Sequence, residues 1–137
     1  MSSNVRLIST ALVVVITIAA CSSPATSSPV SEREARVMAE EMLMAYNDGD
    51  YGAWSAAWST QMKDAIDDAA FAAFREQTMA VAGAYQAIES VESRPGNNAG
   101  VWRWEFIARF ENGRYVFMIA FNEGSPLIEG VNLQPTA

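Results

Sequence analysis

Residues 101–123 read VWRWEFIARFENGRYVFMIAFNE, and the fold follows from how they alternate. On both sides of Asn112-Gly113, apolar and polar residues alternate with period 2, the pattern of a half-buried strand. Asn-Gly between two such runs is the strongest short hairpin signal in the chain, because a type I′ turn needs positive φ at both central residues. That turn predicts strands over 101–111 and 114–123, with Glu111 opposite Arg114, Phe110 opposite Tyr115 and Ala108 opposite Phe117. Phe106 then faces Ile119, and Trp104 faces Phe121. Every pair after the first lies on one aromatic-rich face, which is expected to meet a core. The opposite face carries Arg103, Glu105, Ile107 and Arg109 against Val116, Met118, Ala120 and Asn122. A slip of one residue would turn all the aromatics to solvent, so the faces are strongly specified.

Outward from the hairpin, residues 85–94 form a weakly alternating strand that a Pro95–Gly100 loop separates from the next. Gly124-Ser125-Pro126 turns the chain into a last strand, about 127–134. Upstream the period changes to that of helices. Ser31-x-x-Glu34 is a capping box, and Ala35, Met38, Met42, Ala45 and Tyr46 follow at helical spacing. Asn47-Asp48-Gly49-Asp50 ends that helix with turn residues. A short second helix is expected to carry Tyr51, Trp54 and Trp58, with Ser59–Ile66 either continuing it or forming a separate turn. Asp67 and Asp68 suit the start of a third helix, where carboxylates meet the positive end of the dipole. Its apolar face reads Phe71, Phe74, Thr78, Val81 and Tyr85. Three helices followed by four antiparallel strands make an α+β domain with the helices on one sheet face.

Composition removes several chemistries. The 137 residues include no histidine, and Cys21 is the single cysteine. No intrachain disulfide, His/Cys zinc site, Ser-His-Asp triad or Cys-His pair can be built from such a chain. No cofactor motif and no metal-ligand spacing is present either; Asp64, Asp67 and Asp68 lack the spacing of a calcium loop. Loss of Arg6 with an export signal leaves eight bases against 16 acids, a net charge of −8. Nucleic-acid binding draws its affinity from many Lys and Arg contacts to phosphate, so no such partner is expected.

The N-terminus has the layout of a secretory signal: MSSNVR with one positive charge, an apolar run LISTALVVVITI, then small residues before a cysteine. The run is shorter than the roughly 20 residues a membrane-spanning helix needs. Ile18-Ala19-Ala20-Cys21 resembles the bacterial lipobox, in which an aliphatic and two small residues precede an acylated cysteine. The expected organisation is a signal peptide over 1–20, a Ser/Thr/Pro tether over 21–30 and a single domain over 31–134. The alternatives are ordinary signal cleavage that leaves a free thiol, or an uncleaved anchor. The lipobox resemblance implies glyceride and acyl (palmitate-type) chains on Cys21. These would hold the protein on the extracytoplasmic face of the cell membrane, or on the outer membrane in a diderm, where Ser22 suits outer-membrane sorting.

A further resemblance covers about 31–134. It is carried by Tyr46-Asn47-Asp48-Gly49-Asp50-Tyr51-Gly52-Ala53-Trp54, then Trp58 and Gln61-Met62-Lys63. It continues through Phe110-Glu111-Asn112-Gly113, Ala120-Phe121-Asn122-Glu123-Gly124 and Ile128-Glu129-Gly130. This order resembles bacterial domains of unknown function in the nuclear-transport-factor-2-like superfamily, often found on lipoproteins and secreted proteins. The resemblance implies a cone, a curved sheet wrapped around helices with a pocket at its open end, and dimers formed through the outer sheet face. The superfamily's isomerases, dehydratases and hydrolases place Asp, Tyr or His inside the cone, and no such motif transfers to this chain.

Two functional readings follow. The first is a lipid-anchored binding or accessory module for an apolar small molecule, an envelope partner or a second copy of itself. The second is a small cone enzyme using carboxylate acid/base chemistry. The set Trp54, Trp58, Trp104, Phe106, Phe117 and Phe121 is the candidate ligand pocket, with core packing as the competing role. Without an inward carboxylate in the expected register, no catalytic residue is named and the first reading is preferred.

Overall fold

The computed structural model describes residues 28–95 and 100–136. The expected export signal, Cys21 and the expected tether up to residue 27 lie outside the described residues. Four helices precede four strands among those residues: α1 Glu32–Asp48, α2 Tyr51–Trp54, α3 Thr60–Ala65, α4 Asp68–Ala82, β1 Tyr85–Pro95, β2 Val101–Phe110, β3 Gly113–Asn122 and β4 Ile128–Pro135. The strands pair in sequence order as one antiparallel meander. The architecture is α+β, with helices on one face of a four-stranded sheet.

α1 begins where the sequence places it. Ser31 Oγ accepts from the Glu34 backbone N–H (3.2 Å), and the Ser31 N–H donates to the Glu34 carboxylate (2.7 Å), closing the capping box. Val30, the residue before the cap, is buried in the core, and Trp104 Nε1 donates to Ser28 Oγ at 3.0 Å. Residues 28–30, the end of the stretch expected to be tether, therefore lie against the body.

The expected second helix divides. α2 stops at Trp54, and residues 57–59 are drawn to the sheet instead. Ile128 N–H donates to Ala57 O (2.8 Å), and Ser59 N–H donates to Ile128 O (3.0 Å), a parallel bridge at the edge of β4. Trp58 lies in this bridge and not on a helix. Ser59 then caps a separate helix, its Oγ accepting from Met62 N–H. This raises the helix count from the expected three to four. On α4 the apolar face runs through Phe71, Phe74, Met79 and Ala82, whereas Val81, expected in that face, is 68% exposed.

The hairpin carries one correction. Phe110 is opposite Gly113, Ala108 opposite Tyr115, Phe106 opposite Phe117, Trp104 opposite Ile119 and Trp102 opposite Phe121. The turn is therefore centred on Glu111-Asn112, and each expected pair is displaced by two residues. A type I′ turn at Asn112-Gly113 would require positive φ at Asn112, and among the described residues only glycines have it. The end of α4 supplies what stabilises the observed turn. Glu111 N–H donates to Ala84 O (3.0 Å), Asn112 N–H to Ala82 O (3.0 Å) and Asn112 Nδ2 to Val81 O (3.2 Å). Because a shift of two preserves strand parity, both faces remain as expected. Trp104, Phe106, Ala108, Phe110, Phe117, Ile119 and Phe121 are all buried against the helices.

The first strand is fixed to α1 by one side chain. Asn47 Nδ2 donates to Tyr85 O (2.9 Å), while Tyr85 N–H donates to Asn47 Oδ1 (2.8 Å). The amide thus satisfies the donor and the acceptor that begin an edge strand.

Candidate functional site

A half-open apolar cleft of about 440 Å³ lies between α4 and the outer edge of β4. Trp54, Trp58, Ile66, Phe71, Phe74 and Leu133 form most of its lining, and Asn132 is its one polar residue. Local folding brings these residues together. Asp50 caps α2 by accepting from Ala53 N–H (3.1 Å), which sets Trp54 one turn inward. The Trp58–Ile128 bridge holds the second indole at the sheet edge. Tyr51 Oη donates to Ile66 O and so ties α2 to the α3–α4 connection. Asp67 caps α4 by accepting from Ala70 N–H (2.9 Å), which starts the helix one turn before Phe71.

The aromatic residues form a connected set. The Trp54 ring centroid lies 5.2 Å from that of Phe71, 5.7 Å from Phe74, 6.0 Å from Phe117 and 6.1 Å from Trp58. Such offset and tilted pairs add specific attraction to the area they bury. Of the six residues expected to line a pocket, Trp54 and Trp58 line this cleft. Phe117 backs Trp54 from the sheet, while Trp104, Phe106 and Phe121 are core residues away from it. From sequence alone, Phe71 and Phe74 belong to the apolar face of a helix, and no faces follow for the last strand. The alternation of Val131 and Leu133 was the signal available for the second wall.

Polar groups around the core have structural partners, with two exceptions. The fully buried polar residues among those described are Ser55 and Ser59. Ser55 Oγ donates to Tyr51 O (2.8 Å), and Ser59 Oγ donates to Glu129 Oε2 (2.8 Å). Tyr46 Oη donates to Gly83 O (2.9 Å), and burial pushes the phenol up to about 12. Burial also raises Tyr85. The exceptions are Trp58 Nε1 and Arg103 Nε, buried without a hydrogen-bond partner among the described residues. Those residues also contain no group of three acids or other ligands placed to hold a metal ion. A second hollow of about 450 Å³ borders Gly49, Phe71 and Arg75. Its arginine is already committed, donating to the backbone of α1.

The outer sheet face is of mixed character. Ile107, Val116 and Met118 are half-buried at its centre. Around them Arg94 pairs with Glu105 (3.3 Å), and Glu89 takes both Arg114 (2.7 Å) and Arg109 (3.6 Å). Arg109 Nε also donates to Gln86 Oε1.

The fold and cleft define a small α+β domain with an antiparallel meander packed on helices. No protein-family model and no curated protein matches the chain. Among solved structures it is similar to the NMR structure of a protein from Ruminococcus gnavus ATCC 29149, with a TM-score of 0.60 at 9% sequence identity. That match covers 77% of this chain and 93% of the other, and at such identity it shows shared fold alone.

Proposed function

We infer that this chain is a lipid-anchored envelope protein whose cone-like domain, of the nuclear-transport-factor-2-like kind, is a non-catalytic binding module. The observation that carries the binding reading is the cleft: eight of its nine lining residues are apolar, and none is acidic. Apolar concavities with few polar groups suit recognition of hydrophobic ligands. Acid/base chemistry would instead need an ionisable group aimed at the substrate, which this lining lacks. The half-buried apolar centre of the outer sheet face, rimmed by Arg and Glu, supports self-association through that face. Anchoring rests on Ile18-Ala19-Ala20-Cys21 and on a net charge that gives little attraction to anionic lipid.

The binding reading is tested by native mass spectrometry of the purified protein, together with titration of its tryptophan emission by an apolar dye such as 8-anilinonaphthalene-1-sulfonate. Saturable quenching that Ala70→Arg abolishes is the expected result. Dye binding unaffected by that substitution would remove the cleft from the argument. Anchoring is tested separately by intact mass: a mature chain that begins at Cys21 without added lipid would refute it.

A further inference from the structure

The edge of β4 beside the cleft has free backbone groups, and their phase can be deduced. Thr136 N–H donates to Arg114 O at 3.1 Å, continuing the β3–β4 ladder by one pair. Backbone groups alternate sides along a strand, so Gly130, Asn132 and Gln134 face β3, while Val131 and Leu133 point their N–H and C=O away from it. Between Gly130 and Ile128 the register shifts by one extra residue, Glu129, which turns the N–H and C=O of Ile128 outward as well, where they bond Ala57 and Ser59. Past Ser59 the chain turns into α3 and leaves the edge. Among the described residues nothing pairs with the outward groups of Val131 and Leu133, and Pro135 ends the edge without a donor.

We propose that this edge takes an extended peptide as a fifth strand, one apolar side chain of which fills the Trp54/Trp58 cleft. The proposal rests on the reading of the cleft as a binding site and names its occupant. Val131 and Leu133 present their side chains to the cleft. An added strand would place alternate side chains on that same face, level with Phe71 and Phe74. A hydrocarbon ligand in the same place would cover the outward N–H and C=O groups without pairing them, whereas a peptide backbone pairs them. Charge selects the peptide further. Asp64, Asp67 and Asp68 are exposed on either side of cleft residue Ile66, and none is in an ion pair among the described residues. Lys63 is the one base on that stretch. An occupant with basic flanks and an apolar centre is therefore favoured.

The probe is the fluorescein-labelled peptide KTVFVTK, followed by anisotropy against the full-length protein. Saturable binding that weakens with salt is expected, and replacing the central phenylalanine by serine should weaken it about tenfold or more. Two further peptides carry N-methyl groups on alternate amides, in opposite phases. One should lose binding about tenfold or more while the other keeps it, because one set of amides alone faces β4. Equal binding by both would overturn strand addition. If no peptide binds but the anilinonaphthalene dye still quenches tryptophan, the peptide proposal fails and the cleft reading stands. If the dye fails too, both fall.

Discussion

Arg75 on α4 closes the C-terminus of α1: its Nε donates to Tyr46 O at 2.6 Å and its Nη2 to Asn47 O at 2.7 Å. The last carbonyls of a helix have no partner within it, and the negative end of the dipole lies there. α1 has no basic residue in its own last turn. A guanidinium from another helix supplies both charge and donors, its planar fork meeting two successive carbonyls.

Replacing Arg75 by methionine keeps much of the aliphatic stem and removes the donors. Charge-assisted bonds contribute about 1.5–3 kcal/mol. Each kcal/mol shifts the midpoint of a domain this size by about 4–8 °C. R75M is therefore expected to melt roughly 6–24 °C lower, with R75K intermediate because an ammonium lacks the fork. A melting temperature within a degree of the parent's would show that solvent serves those carbonyls equally well.

The same turn of α1 carries a pH dependence. Tyr46 is buried, donates to Gly83 O and titrates at about 12, above the ordinary value of 10.0. Its folded pKa exceeds its unfolded one, so its contribution is fully present below pH 10 and is lost as pH rises towards about 12. Urea midpoints should thus fall across that window. Absorbance at 295 nm should show phenols ionising late, since Tyr85 is raised too, and Tyr46→Phe should remove the last step. A spectrum in which all tyrosines ionise together near pH 10 would contradict the assignment.

Much of the fold was legible because local signals and global packing agree. Ser31 and Glu34 cap α1, and the period of residues 101–123 assigns both sheet faces. What could not be read depends on contacts distant in sequence. The hairpin turn is set by carbonyls of Val81, Ala82 and Ala84 about thirty residues upstream, and a turn rule that sees four residues cannot include them. The division of the second helix depends on Ile128, some seventy residues away, pulling residues 57–59 into extended geometry. The candidate site shows the same division. Trp54 and Trp58 stood out as aromatics near the helix break, but the second wall of the cleft is β4, and no local pattern pairs that strand with α4.

The meeting of α4 with the hairpin turn has little room to spare. Gly83 has φ +74, and a Cβ there would lie 2.9 Å from Cβ and Oε2 of Glu111. Gly124 has a nearly identical φ of +75 with nothing within 4 Å. Gly124→Ala should therefore cost only the strain of a positive φ, about 1 kcal/mol, whereas Gly83, with ψ −157 in a region essentially reserved for glycine, adds a larger strain and the clash, about 2–4 kcal/mol in total. Chemical denaturation of the two variants measures the difference, and equal losses would mean that the turn yields without cost.

The hairpin register itself is open to a covalent test. Val116 faces β4 with its backbone by the phase deduced from Thr136, so Ile107 and Val116 are a non-hydrogen-bonded pair across β2 and β3. Cα atoms in such pairs are about 4.5 Å apart, within disulfide range. With Cys21 replaced by serine, Ile107→Cys plus Val116→Cys should oxidise readily in the folded state and slow migration on non-reducing gels. Ile107→Cys with Met118→Cys, the partner that an Asn112-Gly113 turn would require, sits on a diagonal about 7–8 Å long and should stay reduced. The reverse outcome would restore the turn read from the sequence. It would also free Asn112 from the carbonyls of α4, undoing the contact that separates the two registers.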